Sequence, residues 1–260
     1  MSQYAPSGNL VTDIREIATS ETWESQSDWE AYQERNNIEI DGETLILAPP
    51  SLPESVVHYW PFDEGSGSIA ENTEGSGDLD LNGPSWRSDS DSIGGERLEF
   101  DGDSDYADAT AETPSGDKTI AFTLEPISIG TTEWVVNWGR GDTEGNINFQ
   151  YNDGDEMQFS ARDDSGNDPN LFADISTGTR YRVLATMDHS EEEYILYMNG
   201  SAEDSTTTPD GYSTTENNLQ IGRRPVDHNQ HAEFFIDDLL VADEVWTQSE
   251  IDEDYQRQPW

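Results

Sequence analysis

The sequence contains no cysteine, and Lys118 is its one lysine among only 12 basic residues. Without cysteine there is no disulfide, no thiolate metal site and no cysteine nucleophile. So few cations cannot neutralise a run of phosphates, so nucleic acid is not an expected partner. An anionic membrane surface is disfavoured on the same grounds. No stretch approaches the 18 or more apolar residues of a membrane-spanning helix, so no membrane insertion is expected. The opening MSQYAPSGNL lacks a basic start followed by an apolar core. No secretory signal is therefore expected, and synthesis in the cytoplasm is.

What the chain has in excess is carboxylate. Asp and Glu number 56 and the formal net charge is −44. Such a charge repels itself and opposes compaction at ordinary ionic strength. The Debye length falls from about 8 Å at physiological salt to about 3 Å at 1 M. The balance fits a protein that folds in molar salt, from an extreme halophile or one of its viruses. The apolar and aromatic residues are too regularly placed for a disordered acidic chain.

The 260 residues divide by pattern. In residues 1–47, Ser27 and Glu30 have capping-box spacing and open a short helix through Asp28–Asn36. Ile38–Ile40 and Glu43–Leu47 then flank Asp41-Gly42, a hairpin signal. This arm is too small for its own core, so anchoring or oligomerisation is its expected role. APPSLPES (48–55) reads as a Pro-rich linker. From Val56 to the end, short runs rich in Val, Ile, Phe, Tyr and Trp alternate with Gly, Asn and Asp clusters. The pattern predicts an all-β, two-sheet antiparallel sandwich over 56–260. Asp153-Gly154 and Asn199-Gly200 mark two tight hairpins, and Ala202–Asn217 reads as a long polar loop. Thr247 and Glu250 form a second capping-box pair, with Trp246 and Ile251 at staple positions, so the chain ends in a short helix.

Several constellations carry possible chemistry. EIDGE (39–43) has the look of a glycosidase carboxylate pair, which needs two carboxyls about 5–5.5 Å apart for retention. Pairing Ile40 with Glu43 puts Glu39 and Glu43 on opposite faces, so no catalytic residue is assigned. His228 and His231, with Asp227, could hold a transition metal or simply sit in a polar loop. Arg140-Gly141-Asp142 reads as an ordinary turn. Sugar binding needs exposed aromatic faces and polar groups in a concavity. The candidates are Trp138, Arg140, Tyr151 and the adjacent pair Arg223 and Arg224. The alternative is that the aromatics are core and the arginines pair locally with Asp227 or Glu233.

Five strings resemble the LamG-like jelly roll, the concanavalin A-like sandwich of laminin-G and pentraxin type. They are HYWPFDEGSGSIAENTEGSGDLDLNGPSW (58–86), GGERLEFDGDSDYADA (94–109), YRVLATMDHSEEEYILYMNGSAEDST (181–206), LQIGRRP (219–225) and FFIDDLLVADEVWTQSEIDEDY (234–255). A sixth, TIAFTLEPIS (119–128), departs from the usual aromatic-led ending. The resemblance implies a jelly-roll sandwich with carbohydrate or glycoprotein binding and no catalysis. It also implies a structural calcium, with Asp101 and Asp238 at the acidic positions. Alternation along Phe235–Leu239 allows only one of Asp237 and Asp238 to point inward. An inward acid needs a partner, and a cation would supply it. Together these readings lead to a surface protein of a haloarchaeal virus, such as a tail fibre, turret or spike subunit. Its arm would contact other virion proteins, with a homotrimer as the favoured assembly, and its sandwich would contact a host-surface glycan. A host-encoded adhesive or scaffold protein and a glycan hydrolase are the alternatives.

Overall fold

A computed structural model describes residues 38–41, 44–47, 52–130, 132–139, 146–162, 166–207, 217–224 and 229–258. The chain forms two compact units, Met1–Leu52 and Pro53–Trp260. In the first, β1 (Ile38–Asp41) pairs antiparallel with β2 (Thr44–Leu47). Ile38 lies opposite Leu47 and Ile40 opposite Leu45, so the four apolar residues share one face. Ile40 therefore does not pair with Glu43, and its partner lies two residues beyond the sequence expectation. The expected helix Asp28–Asn36 lies outside the described residues.

The second unit is two sheets around one core. Its strands begin with β3 (Val56–Trp60), β4 (Ile69–Ala70), β5 (Leu79–Asn82), β6 (Ser85–Ser88), β7 (Glu96–Asp101) and β8 (Tyr106–Thr110). They continue with β9 (Lys118–Pro126), β10 (Glu133–Trp138), β11 (Ile147–Asn152), β12 (Glu156–Ala161) and β13 (Asn170–Asp174). The last are β14 (Tyr181–Asp188), β15 (Glu193–Met198), β16 (Ser201–Thr207), β17 (Asn218–Ile221) and β18 (Glu233–Ala242). One sheet has the order β13-β12-β11-β10-β17-β8-β5-β4, and the other β16-β15-β14-β9-β18-β7-β6 with β3 added to β18. All ladders between the described strands are antiparallel, as the jelly-roll expectation requires.

Alternation explains the layers. On β11, Ile147, Phe149 and Tyr151 enter the core while Asn148 and Gln150 face the other way. Phe122 of β9 meets Phe149 edge to face with ring centroids 5.0 Å apart, so the two sheets touch directly. Burial of each such ring contributes about 1.5–3 kcal/mol. The Asn199-Gly200 hairpin turns with φ of 54° and 81°, as a two-residue turn demands. The Asp153-Gly154 hairpin is longer, because Asn152 pairs with Glu156. Ser201–Thr207, expected as the start of a loop, is instead an edge strand on β15. Its polar sequence has no apolar alternation to announce it, so only the neighbouring strand defines it.

β18 is the organising strand. One edge pairs with β9 along most of its length. The other edge is shared, with β7 beside Glu233–Ile236 and β3 beside Leu239–Ala242. Asp237 and Asp238 fall in the gap, where the β9 ladder also slips. Asp238 has φ of 57°, which breaks the alternation, and both acids are buried. The chain closes with helix α1 (Gln248–Arg257), opened by the expected Thr247–Glu250 capping box.

Candidate functional site

The sequence candidates separate sharply. Trp138 and Tyr151 are fully buried core residues rather than glycan contacts. The Trp138 indole N–H donates to the Ala111 carbonyl at 3.2 Å. Burial also pushes the Tyr151 hydroxyl well above its ordinary range. Both lie on inward positions of their strands, and the sequence pattern of aromatics at strand ends cannot show which face they take. Arg140 and His228 lie outside the described residues.

Arg223 and Arg224 follow β17 and are half-buried. The Arg223 guanidinium carbon sits 3.4 Å from the centre of the Tyr106 ring. That of Arg224 lies 5.8 Å from the centre of the Trp134 ring. The Trp134 indole N–H donates to Gln230 Oε1 at 3.2 Å. His231 bridges to both Trp134 and Arg223 by backbone pairing, and its Nδ1 lies 3.3 Å from the Asp105 carbonyl oxygen. Tyr106, Trp134 and His231 thus join the two arginines in one aromatic and cationic platform. Sequence reasoning missed Tyr106 because it lies on β8, brought beside β17 only by the sheet. Each stacked cation of this kind is worth about 0.5–1 kcal/mol when exposed.

The two expected calcium acids do not form one site. Asp101 pairs with Glu233, and Asp238 lies five residues further along β18, about 16 Å away at strand rise. Asp101 caps a turn, its Oδ1 accepting from the N–H groups of Asp103, Ser104 and Asp105 at 2.9–3.1 Å. Those bonds lower its pKa. Asp238 already has counter-charges. Its Oδ2 accepts from Arg257 at 3.0 Å and Gln258 at 2.6 Å, and lies 3.4 Å from Arg182 Nη1. Arg182 in turn grips Asp254 of α1 through two bonds, Nε to Oδ2 at 2.7 Å and Nη2 to Oδ1 at 2.9 Å. Burial alone would raise the Asp238 pKa, but Arg257 and Arg182 outweigh it and hold the carboxyl below its usual range. This cluster pins the terminal helix to the sheet and gives Asp238 two arginine counter-charges through Oδ2, while its Oδ1 closes no hydrogen bond.

The acid that fits a cation is its neighbour. Asp237 is 1% exposed and neither carboxyl oxygen has a hydrogen-bond partner. Burial pushes its pKa well up, with repulsion from Asp238 and Asp63 added. The Ser92 hydroxyl leans toward it and opposes that rise, yet closes no hydrogen bond of ordinary geometry. Asp63 faces the same gap. Its carboxyl is raised to about 6 by burial, then by Asp238, Glu64 and Glu96. The Gly94 backbone, at φ of 76°, lies directly against the Asp63 carboxyl, while Asp63 as a residue stays exposed to solvent. Phe62, just before Asp63, has φ of 59°, costing roughly 1–2 kcal/mol for an L-residue. Among the described residues, no three His, Asp or Glu side chains converge as a metal group. A hard cation here would thus need hydroxyl or carbonyl oxygens to complete its shell.

The fold and these residues place the protein in a known class. The chain belongs to the concanavalin A-like lectin/glucanases superfamily, whose family model matches residues 101–252. The receptor binding domain of botulinum neurotoxin C/D mosaic serotype shares the fold with a TM-score of 0.63 at 13% identity, covering 78% of this chain and 51% of that one. The botulinum neurotoxin serotype D ligand binding domain, solved in complex with N-acetylneuraminic acid, matches at TM-score 0.63 and 12% identity, covering 78% and 50%. The binding domain of Paraclostridial Mosquitocidal Protein 1 matches at TM-score 0.62 and 14% identity, covering 78% and 52%. The chain therefore spans about half the length of these solved domains. No curated protein sequence matches it.

Proposed function

We propose that this is a virion surface structural protein of a haloarchaeal virus, a tail fibre, turret or spike subunit, whose sandwich binds a host-surface glycan without cleaving it. One observation carries the binding reading. Arg87, Arg97, Arg180, Arg182 and Arg257 each pair with a carboxylate, whereas Arg223 is held over Tyr106 with no carboxylate paired to it among the described residues. In a chain of net charge −44, a guanidinium kept from the surrounding acids is suited to an outside anion. The planar fork matches sugar carboxylates or sulfates. A solved structural neighbour carries such an acidic sugar.

The assembly reading draws on other features. The acidic surface fits molar salt, and the apolar hairpin face of Ile38, Ile40, Leu45 and Leu47 needs a cover. Sister chains in a homotrimer, or the particle itself, would supply it. For calcium, Asp63 and Asp237 are the residues proposed to hold the ion, with Ser92 beside them. The ion would supply the positive charge that Asp237 lacks and so stabilise the gap between β3 and β7.

Replacing Arg223 and Arg224 together by Gln should lower adsorption of particles to host cells at least about tenfold, equivalent to about 1.4 kcal/mol. Circular dichroism should be unchanged. Wild-type adsorption by that variant would move the site elsewhere. Release of reducing sugar by the wild-type protein would restore the hydrolase reading. Antibody labelling of purified particles tests the location.

A further inference from the structure

We propose that His58 is an acid-released clasp that holds the β4–β5 corner of the first sheet against β3 of the second. Val56, His58 and Trp60 share one face of β3, and His58 is buried. Its ring stacks on that of Trp60 with centroids 5.5 Å apart. Both ring nitrogens bond to chain that belongs to the first sheet. Nε2 lies 2.9 Å from the carbonyl oxygen of Glu112, just beyond β8. Nδ1 lies 2.8 Å from Nδ2 of Asn72, in the loop that joins β4 to β5. Gly75 of that loop sits against the ring, where a Cβ would come within 2.4 Å of His58 Nδ1 and of the Val57 carbonyl oxygen. A side chain there would push the loop off the histidine. The Trp60 indole N–H adds a bond to the Gly77 carbonyl at 3.1 Å, and the Thr73 N–H one to the Tyr59 carbonyl at 2.8 Å.

Hydrogen-bond accounting fixes the charge of the ring. Asn72 Oδ1 accepts from the N–H groups of Tyr59 at 3.1 Å and Gly75 at 2.9 Å. Its Nδ2 donates to the Ser76 carbonyl at 3.0 Å, which leaves the second hydrogen for His58 Nδ1. Turning the amide round would set its NH2 group against two N–H donors. Nδ1 must therefore accept, and the single ring proton sits on Nε2 and goes to the Glu112 carbonyl. A second proton would oppose donor to donor in a buried place, so the charged ring suits neither orientation of Asn72. The charged groups around the ring are Glu71, Glu74 and Asp78 in the loop and Glu112 beyond β8, all exposed. Asp78 accepts from the Asn72 backbone N–H, and among the described residues no carboxylate bonds the imidazole. In the second sheet, β18 sets Val241 opposite His58, and Lys118, one strand further on β9, gives its ammonium to the Gly116 carbonyl. Burial lowers the His58 pKa, and the Glu112 carbonyl pulls the other way. The clasp therefore contributes fully above the ordinary 6.5 and loses strength as pH falls below it. Asp63 and Asp237 change in the opposite sense over that range, so a global melting midpoint mixes the two and a local reading is needed.

Amide hydrogen exchange of the full chain, followed by NMR in molar NaCl at about pH 7.5 and about pH 5 with intrinsic rates divided out, tests this. Protection of the Tyr59, Thr73 and Gly75 N–H groups should fall at least about tenfold at the lower pH, in step with titration of the His58 ring. The β11–β12 ladder should keep its protection. His58→Gln should remove the pH response at the three amides. Asn72→Asp should reverse it, because a carboxylate accepts both from the same N–H groups and from a doubly protonated ring. Should neither variant fold, the wild-type titration decides, since protection and ring charge must change at the same pH. Unchanged protection at the three amides overturns the clasp, whether or not the ring titrates, as does a change away from the ring's own midpoint. A loss that persists in folded His58→Gln also overturns it and passes the response to Asp78, which holds the Asn72 N–H.

Discussion

Asp237 and Asp238 are neighbours on β18, equally shielded from water, and they meet opposite surroundings. Asp238 faces Arg182 and Arg257 under the terminal helix. Asp237 faces Asp63 and an uncharged hydroxyl. A buried carboxylate needs a proton, a cation or hydrogen bonds. On the helix side the chain supplies arginines from its small stock. On the Asp63 side it supplies more acid, and the attraction of Arg180 is too small to offset burial and that repulsion, so the charge is quenched by protonation or by an ion from solution. The comparison teaches that, in a chain this acidic, the cations mark where the fold must hold itself together.

The largest break in this contrast comes from the helix side. Asp254→Ala or Arg182→Ala strips one partner from a buried network, and urea unfolding should show a loss of about 3–5 kcal/mol. That loss should be the same at one and several molar salt, because buried pairs are little screened. The overall midpoint, by contrast, should fall as salt is withdrawn and surface repulsion returns. A loss below about 1 kcal/mol would mean that the network does not hold the helix.

The other side is sharpened by calcium. Asp63 has a folded pKa of about 6 against an ordinary 3.8, and Asp237 is raised as well. Groups raised in this way favour the fold at pH below about 4, and that contribution is lost as pH rises through about 6. In chelator, the site should therefore cost stability at neutral pH. Calcium should reverse this, by about 2.7 kcal/mol at a hundredfold excess over Kd. The gain should shrink as pH drops below about 6 and protons compete. Asp237→Asn should remove the calcium response and Asp237's share of the pH slope, leaving the share of Asp63, which burial, Asp238, Glu64 and Glu96 raise. No calcium shift of the wild-type melting midpoint at neutral pH would sink the proposal.

The smallest effect concerns the helix cap. Thr247 Oγ1 accepts from the Glu250 N–H at 3.4 Å, while Glu250 Oε2 accepts from the Thr247 N–H at 2.6 Å. Thr247→Ala should cost about 1 kcal/mol by thermal melting. A cost matching that of Arg182→Ala would show that the cap, and not the buried ions, secures the helix.

Much of the fold was legible in local pattern. The short runs rich in Val, Ile, Leu and aromatic residues that predict the sandwich coincide with β3, β5, β7, β9 to β12, β14, β15, β17 and β18, because each carries apolar residues on its core face. Short or polar strands such as β4, β6, β13 and β16 were not marked, since pairing and not composition makes them strands. Of the candidate site, the arginine pair was visible as an oddity of charge. Its aromatic partners Tyr106 and Trp134 were not, because they arrive from separate strands.

The sequence by itself determined the all-β class, the capped terminal helix, the Asn199-Gly200 turn and the acid surface. These follow from short-range periodicity, turn chemistry and net charge. Only the tertiary structure decided that Trp138 and Tyr151 turn inward, that Asp101 caps a turn, and that Asp237 rather than Asp238 lacks a counter-charge. Period-two alternation allowed one inward acid, and the structure buries both. The reason is the gap between β7 and β3 along one edge of β18, where the ladder slips and Asp238 takes a positive φ. That gap is made by strands distant in the chain, so no local pattern could carry it.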